Sequence, residues 1–317
     1  MTARGARRRL LPQPVNRTLL KVFGDLPIQR ITVRASLLTA LFASAAVALS
    51  CAPAAIADSS ESSNWAGYAV HRSGVNFTKV IGAWKQPAAV CIPGNPTYSA
   101  VWVGLGGYSV TSPALEQIGT EMDCSASGRA VSSAWYELVP AASQAIKFNV
   151  HADDEVVATV SVVDHKVQLT LADQTRHRTF TKTLRASVVD VSSAEWIVEA
   201  PSDCFSDNSC QTLPLTDFGS TTFELAAAQS TTGHTGSISD RAWGSTKISL
   251  APTGQQFIVF RGRGVTGSAS PSSLGRKGNS FTVTYHEVVA QTPPAFTRRR
   301  QTTTLAGHLV HAGIQGP

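Results

Sequence analysis

The run Glu195-Trp196-Ile197-Val198-Glu199 places two acids four positions apart in a stretch rich in β-forming residues. An extended chain alternates its side chains between faces, so Glu195, Ile197 and Glu199 point one way and Trp196 and Val198 the other. The run Leu115-Glu116-Gln117-Ile118-Gly119-Thr120-Glu121 sets Gln117 and Glu121 on one face in the same manner, and Trp135-Tyr136-Glu137 joins Trp135 to Glu137. Taken singly, each run also fits an ordinary sheet face turned to solvent.

Other chemistries lack their residues. There is no G-x-S-x-G pentapeptide, no H-E-x-x-H and no P-loop. Of the eight histidines, at 71, 151, 165, 177, 234, 286, 308 and 311, only the last two stand close together, so a metal centre is not indicated. A Ser/His/Asp triad built from distant segments stays open, because geometry and not chain order defines one.

These residues must be carried by strands. After Ser62 the apolar period is mostly two, in short β-branched and aromatic runs broken by Gly, Pro, Asn, Asp and Ser. The pattern predicts strands over 65–70, 80–84, 100–104, 134–138, 146–150, 155–163, 166–171, 179–184, 195–199, 247–250, 256–261 and 280–286. Asp164-His165 between two such runs predicts a tight hairpin. With this many strands, no convincing amphipathic helix and no long linker, the expectation is all-β: a single antiparallel β-sandwich or jelly roll of two packed sheets. The Gly/Ser-rich stretch 262–280 is the best candidate for a boundary, but the strand after it is too short to fold alone and is expected to return to the same sheets.

The chain has 317 residues, 43% of them hydrophobic and 15% charged, which excludes disorder as a whole. The net charge of +6 is concentrated in residues 1–57; residues 58–317 hold 19 Lys+Arg against 20 Asp+Glu, leaving no footprint for nucleic acid. Arg30 and Arg34 precede an apolar run from Ala35 to Leu49, and Ala55-Ile56-Ala57 supplies small residues for a signal peptidase. The expectation is a basic extension and secretory signal over 1–57, cleaved after Ala57, with no stable membrane association afterwards. The folded domain is expected over 58–290, with a flexible tail over 291–317. Four cysteines then remain, allowing three pairings. The short polar loop between Cys204 and Cys210 suits a local disulfide, and Cys91 with Cys124 would be the second.

The ordered set Ser63-Asn64-Trp65-Ala66-Gly67-Tyr68, Trp102-Val103-Gly104-Leu105-Gly106-Gly107, Glu116-Gln117-Ile118-Gly119, Ala134-Trp135-Tyr136-Glu137 and Ala194-Glu195-Trp196-Ile197-Val198-Glu199 resembles the glutamic peptidases, or eqolisins, peptidase family G1. The likeness continues through Cys204 to Cys210 and Leu213-Pro214-Leu215-Thr216-Asp217-Phe218-Gly219, and covers roughly residues 60–290. The resemblance implies a secreted, monomeric, pepstatin-insensitive acid endopeptidase on a β-sandwich. It implies protein or peptide substrates, no metal or organic cofactor, and a Gln/Glu dyad that falls on Gln117 and Glu199. It places Trp102, Tyr136 and Glu137 in motifs that line or support the cleft, the aromatics being equally suited to packing. Glu121 stands where fungal members carry an Asp near the catalytic Gln.

The implied chemistry is coherent. A carboxylate can take a proton from water and return it to a leaving amine, while an amide donates to the oxyanion without titrating. An unperturbed Glu titrates near ~4.3, so the base would operate in acid. Gly106 stands where fungal members carry an Asp near the dyad, and the basic residues of 58–317 exceed the family's usual share. Both departures predict activity at milder acidity. Two other readings use the same surface: a sugar-binding jelly roll, and a glycoside hydrolase with Glu195 and Glu199 as its acids. The second leaves Gln117 without a role.

Overall fold

The computed structural model describes residues 58–147, 149–206, 209–251 and 267–288, and among them there are strands and turns but no helix. In chain order the strands are β1 (Asp58–Ser62), β2 (Trp65–His71), β3 (Phe77–Lys85), β4 (Ala100–Gly106), β5 (Leu115–Cys124) and β6 (Ala130–Val139). Next come β7 (Gln144–Ile146), β8 (Glu155–Val163), β9 (Lys166–Asp173), β10 (Arg178–Arg185), β11 (Ser193–Glu199) and β12 (Ser202–Ser206). The last are β13 (Ser209–Thr212), β14 (Ser220–Ser230), β15 (Thr235–Ser237), β16 (Gly244–Leu250), β17 (Ser268–Pro271) and β18 (Phe281–His286).

A continuous ribbon of hydrogen-bonded strands runs β10-β9-β8-β3-β14-β18-β17-β16-β2-β11-β4-β5-β6-β7. It doubles over so that β3, β8 and β9 lie across β11, β4 and β5, giving the two-layered antiparallel β-sandwich the alternation calls for. β1 departs from the antiparallel rule by pairing in parallel with β16, and β12 pairs with β13 as a separate hairpin.

Alternation builds the core. Tyr68, Val103, Ile118 and Trp196 point inward from one layer and meet Phe77, Trp84, Val160, Leu169 and Phe223 from the other. Each large apolar side chain buried here contributes about 2 kcal/mol. Buried indoles need acceptors, and two in the interior find them across the layers: Trp196 Nε1 donates to Ile81 O at 2.8 Å and Trp84 Nε1 to Thr120 Oγ1 at 3.1 Å.

The hairpin at Asp164-His165 is present, with both residues at positive φ (49° and 61°), the geometry of the two-residue turn that matches strand twist. β17 and β18 return to the same ribbon as expected, pairing with β16 and β14. The expected strand at 256–261 lies outside the described residues. β14 was not anticipated: Leu225 at φ 53° and the register shift between Glu224 and Ala227 break its alternation. Cys91 and Cys124 form a disulfide with Cα atoms 5.3 Å apart. Cys204 and Cys210 stand opposite one another in the β12–β13 register, and their side chains lie outside the described residues.

Candidate active site

The outer face of β2, β11, β4, β5 and β6 carries the candidate residues. Register fixes what shares it. Glu199 stands between Trp65 and Ala100, Ile197 between Gly67 and Trp102, and Glu195 between Ala69 and Gly104. Across β4, Trp102 meets Gly119 and Gly104 meets Gln117, which in turn meets Glu137 on β6. Because residues directly opposite point the same way, Gln117, Glu137, Trp102 and Glu199 all project from one surface. A second apolar cluster, separate from the interior core, forms its floor and includes Trp65, Trp102, Leu115, Trp135 and Ile197.

Small residues make room for this. A Cβ on Gly119 would lie 2.3 Å from Val101 O and 2.6 Å from Trp102 Cβ, so only glycine lets the indole cross β5. Trp102 packs edge-on against Trp65, with centroids 5.0 Å apart and planes at 77°.

The Glu199 carboxylate is held from two sides: Trp102 Nε1 donates to Oε2 at 2.8 Å, and Asn64 Nδ2 donates to Oε1 at 3.2 Å. Gln117 Nε2 donates to Glu137 Oε2 at 2.6 Å, while Gln117 Oε1 is buried without a hydrogen-bond partner. One amide hydrogen and one carbonyl oxygen of Gln117 thus stay available for a reacting group.

Burial pushes the Glu199 carboxyl up to about 7; the Trp102, Trp65 and Asn64 donors pull against it, and the nearby Glu137 reinforces it. Glu137 is likewise raised to about 7, by burial first, with Gln117 opposing and Glu121 adding like charge. Both carboxyls thus stand above the ordinary position of a glutamate, in the direction of the milder acidity that Gly106 and the basic residues of 58–317 lead one to expect. The cause is desolvation on an aromatic floor.

The other expected residues divide. Glu121 accepts from Ser133 Oγ at 2.6 Å, two strand positions beyond Gly119 on the same face. Tyr136 lies on the opposite face, packed on the interior and stacked on Phe180 at 5.7 Å, so it takes the packing role. Glu195 is fully buried, with no partner for either oxygen within 3.5 Å among the described residues. That removes it as the second acid of a glycosidase and corrects the reading of these runs as solvent-facing. Asn64 was missed as a ligand of Glu199, since 135 residues separate them and no local pattern links the two. Among the described residues, no group of three or more His, Cys, Asp and Glu could hold a metal ion.

Solved structures share the architecture. The chain is similar to scytalido-glutamic peptidase bound to a transition state analog inhibitor, at 21% identity and TM-score 0.56, over 70% of this chain and 98% of that one. It is similar to SCP-B, a member of the Eqolisin family in complex with the tripeptide Ala-Ile-His, at 20% identity and TM-score 0.50, over 70% and 98% of the two chains. A search of curated protein sequences gives no significant match. The sequence pattern of the Peptidase A4 family, in contrast, matches residues 63–259, a span that begins at Ser63-Asn64-Trp65 and takes in Gln117, Glu137 and Glu199. With most of the folded domain matched in that order, the chain belongs to the Peptidase A4 family, the glutamic peptidases.

Proposed function

We propose that this peptidase is an exported endopeptidase in which Glu199 is the general base and Gln117 the oxyanion donor. The observation that carries the reading is the shared face: Glu199, fixed by Trp102 and Asn64, and Gln117, oriented by Glu137, project from the same side of β11 and β5.

In this mechanism ionised Glu199 removes a proton from a water, whose oxygen attacks the scissile carbonyl carbon. The free N–H of Gln117 Nε2 hydrogen-bonds the oxygen that becomes negative, and its Oε1 accepts from the attacking water. Glu199 then returns the proton to the departing nitrogen, the C–N bond breaks, and a carboxylic acid and an amine leave. The inhibitor and tripeptide held by the two similar structures support peptide substrates. The reading extends to export through residues 1–57, a catalytic domain over 58–290, a tail over 291–317 and a monomeric enzyme free of the membrane.

The test is digestion of a denatured protein by the purified chain from about pH 3 to 8 with pepstatin present, beside the Glu199→Gln variant. Cleavage that pepstatin spares and the variant lacks supports the reading. A folded wild type that cleaves at no pH overturns it, and polysaccharide retention would then favour the sugar-binding alternative. Export is tested separately, by finding an amino terminus at Asp58 in protein recovered outside the cell.

A further inference from the structure

Two acids of the site strands play no part in this mechanism. Glu116 and Glu195 are 0% exposed, and among the described residues none of their four carboxyl oxygens has a hydrogen-bond partner within 3.5 Å. Glu116 projects from β5 to the core side, between Leu105 of β4 and Leu138 of β6. Glu195 projects from β11 to the other side, between Ala69 of β2 and Gly104 of β4.

Among the described residues, no positive charge compensates them. None of the ion pairs among the described residues involves either acid. The charge they do feel is negative. Asp190, just before β11, receives Ser112 Oγ, the Ser192 N–H at 2.9 Å and the Gly107 N–H at 3.4 Å. Burial opposes its ionisation, but these donors prevail and hold it below the usual carboxylate range. Of the other titratable groups on these strands, His71 of β2 lies two positions beyond Ala69, and burial holds it toward the neutral form. A buried carboxylate without partner or counter-charge costs far more than a buried neutral carboxyl.

We propose that Glu116 and Glu195 set an upper pH limit on the fold: the folded chain carries both neutral, and their ionisation unfastens the β5, β4 and β11 strands that hold Gln117 and Glu199. The limit concerns folding, so it stands apart from whether Gln117 and Glu199 are the dyad. Burial first, and Asp190 second, raise Glu116 to about 8 from an ordinary 4.5, with the backbone N–H groups of Asp190 and Glu116 opposing. Burial also raises Glu195 well above 4.5, with Asp190 and Glu116 adding to it and the Ser193 hydroxyl opposing.

The sign follows from linkage. Below the unfolded values both states are protonated and stability is full. As pH rises past them the unfolded chain releases its protons while the folded chain retains them, so stability falls until the folded groups ionise. For Glu116 alone the folding equilibrium weakens by roughly three powers of ten across that interval.

The experiment is equilibrium unfolding by urea from about pH 4 to 9 for the wild type, Glu116→Gln, Glu195→Gln and the double variant. Relative to its own value in acid, the double variant should retain a folded-to-unfolded equilibrium constant at least about tenfold larger than that of wild type at pH 8. Curves that stay parallel overturn the proposal. Glu116→Leu, whose side chain suits a site between Leu105 and Leu138, repeats the test if the glutamine variants do not fold. Carboxyl-selective nuclear magnetic resonance on the wild type needs no variant. Titration of Glu116 and Glu195 above about pH 6.5 supports the limit, and titration near their ordinary value contradicts it.

Discussion

The indole N–H of Trp102 donates to Glu199 Oε2 at 2.8 Å, from the strand next to the one that carries the carboxylate. Trp102 stands opposite Ile197, one side-chain row from Glu199, so the bond runs diagonally and needs the large reach of tryptophan. It favours the ionised carboxylate against the desolvation that would hold it protonated. Trp102→Phe should keep the floor packed but raise the Glu199 titration further. The expected result is a loss of about tenfold in kcat/KM below pH 6 and an ascending limb displaced upward by up to ~1 unit. An unchanged profile would show that the bond does not tune the base.

Glu137 acts with the opposite sign. Its negative charge raises Glu199, so Glu137→Gln should lower the Glu199 titration and move the ascending limb of kcat/KM toward acid. The amide can still accept the Gln117 N–H, so Gln117 keeps its orientation. A shift toward alkali, measured on the same peptide substrate, would contradict the assignment.

For the wild type, the proposed base Glu199, raised to about 7, is almost wholly protonated in strong acid. Activity is therefore expected to climb through weakly acidic pH to about pH 7, falling on the acid side as Glu199 is protonated. A maximum near pH 3 would mean that substrate binding restores an ordinary carboxylate.

Gly119→Ala tests the floor. The added Cβ would meet Val101 O at 2.3 Å and Trp102 Cβ at 2.6 Å, both on β4, so β4 and β5 must part or the indole must leave Glu199. The expected cost is about 2–4 kcal/mol in urea unfolding, with activity lost beyond the loss of folded protein.

The Cys91–Cys124 bridge closes a loop of 33 residues in sequence separation. Its loss through the Cys91→Ser, Cys124→Ser pair should lower stability by about 3–4 kcal/mol on the chain-entropy account, measured under non-reducing conditions. A change under about 1 kcal/mol would show that the bridging Thr97 to Cys124 hydrogen bonds already constrain this segment.

What the sequence revealed followed local rules. Alternation in Glu195 to Glu199 placed both acids on one face, and the structure agrees, because β11 pairs without a bulge on either side. The Asp164-His165 turn was legible because it depends on two residues alone. What alternation cannot tell is which face is covered. Glu116 and Glu195 lie on opposite sides of the sheet and are both buried, since the second apolar cluster lies on one side and the interior core on the other. β14 escaped notice because the positive φ of Leu225 breaks its period, and Asn64 because its partner lies far along the chain.

The most direct measurement of the central claim is kcat for Gln117→Ala, Glu199→Gln and the double variant on one peptide, each confirmed folded. If the two side chains act on one transition state, each single change lowers kcat by at least about 10³ and the double change costs little more than the worse single one. Either single variant retaining kcat within about tenfold of wild type would contradict the account.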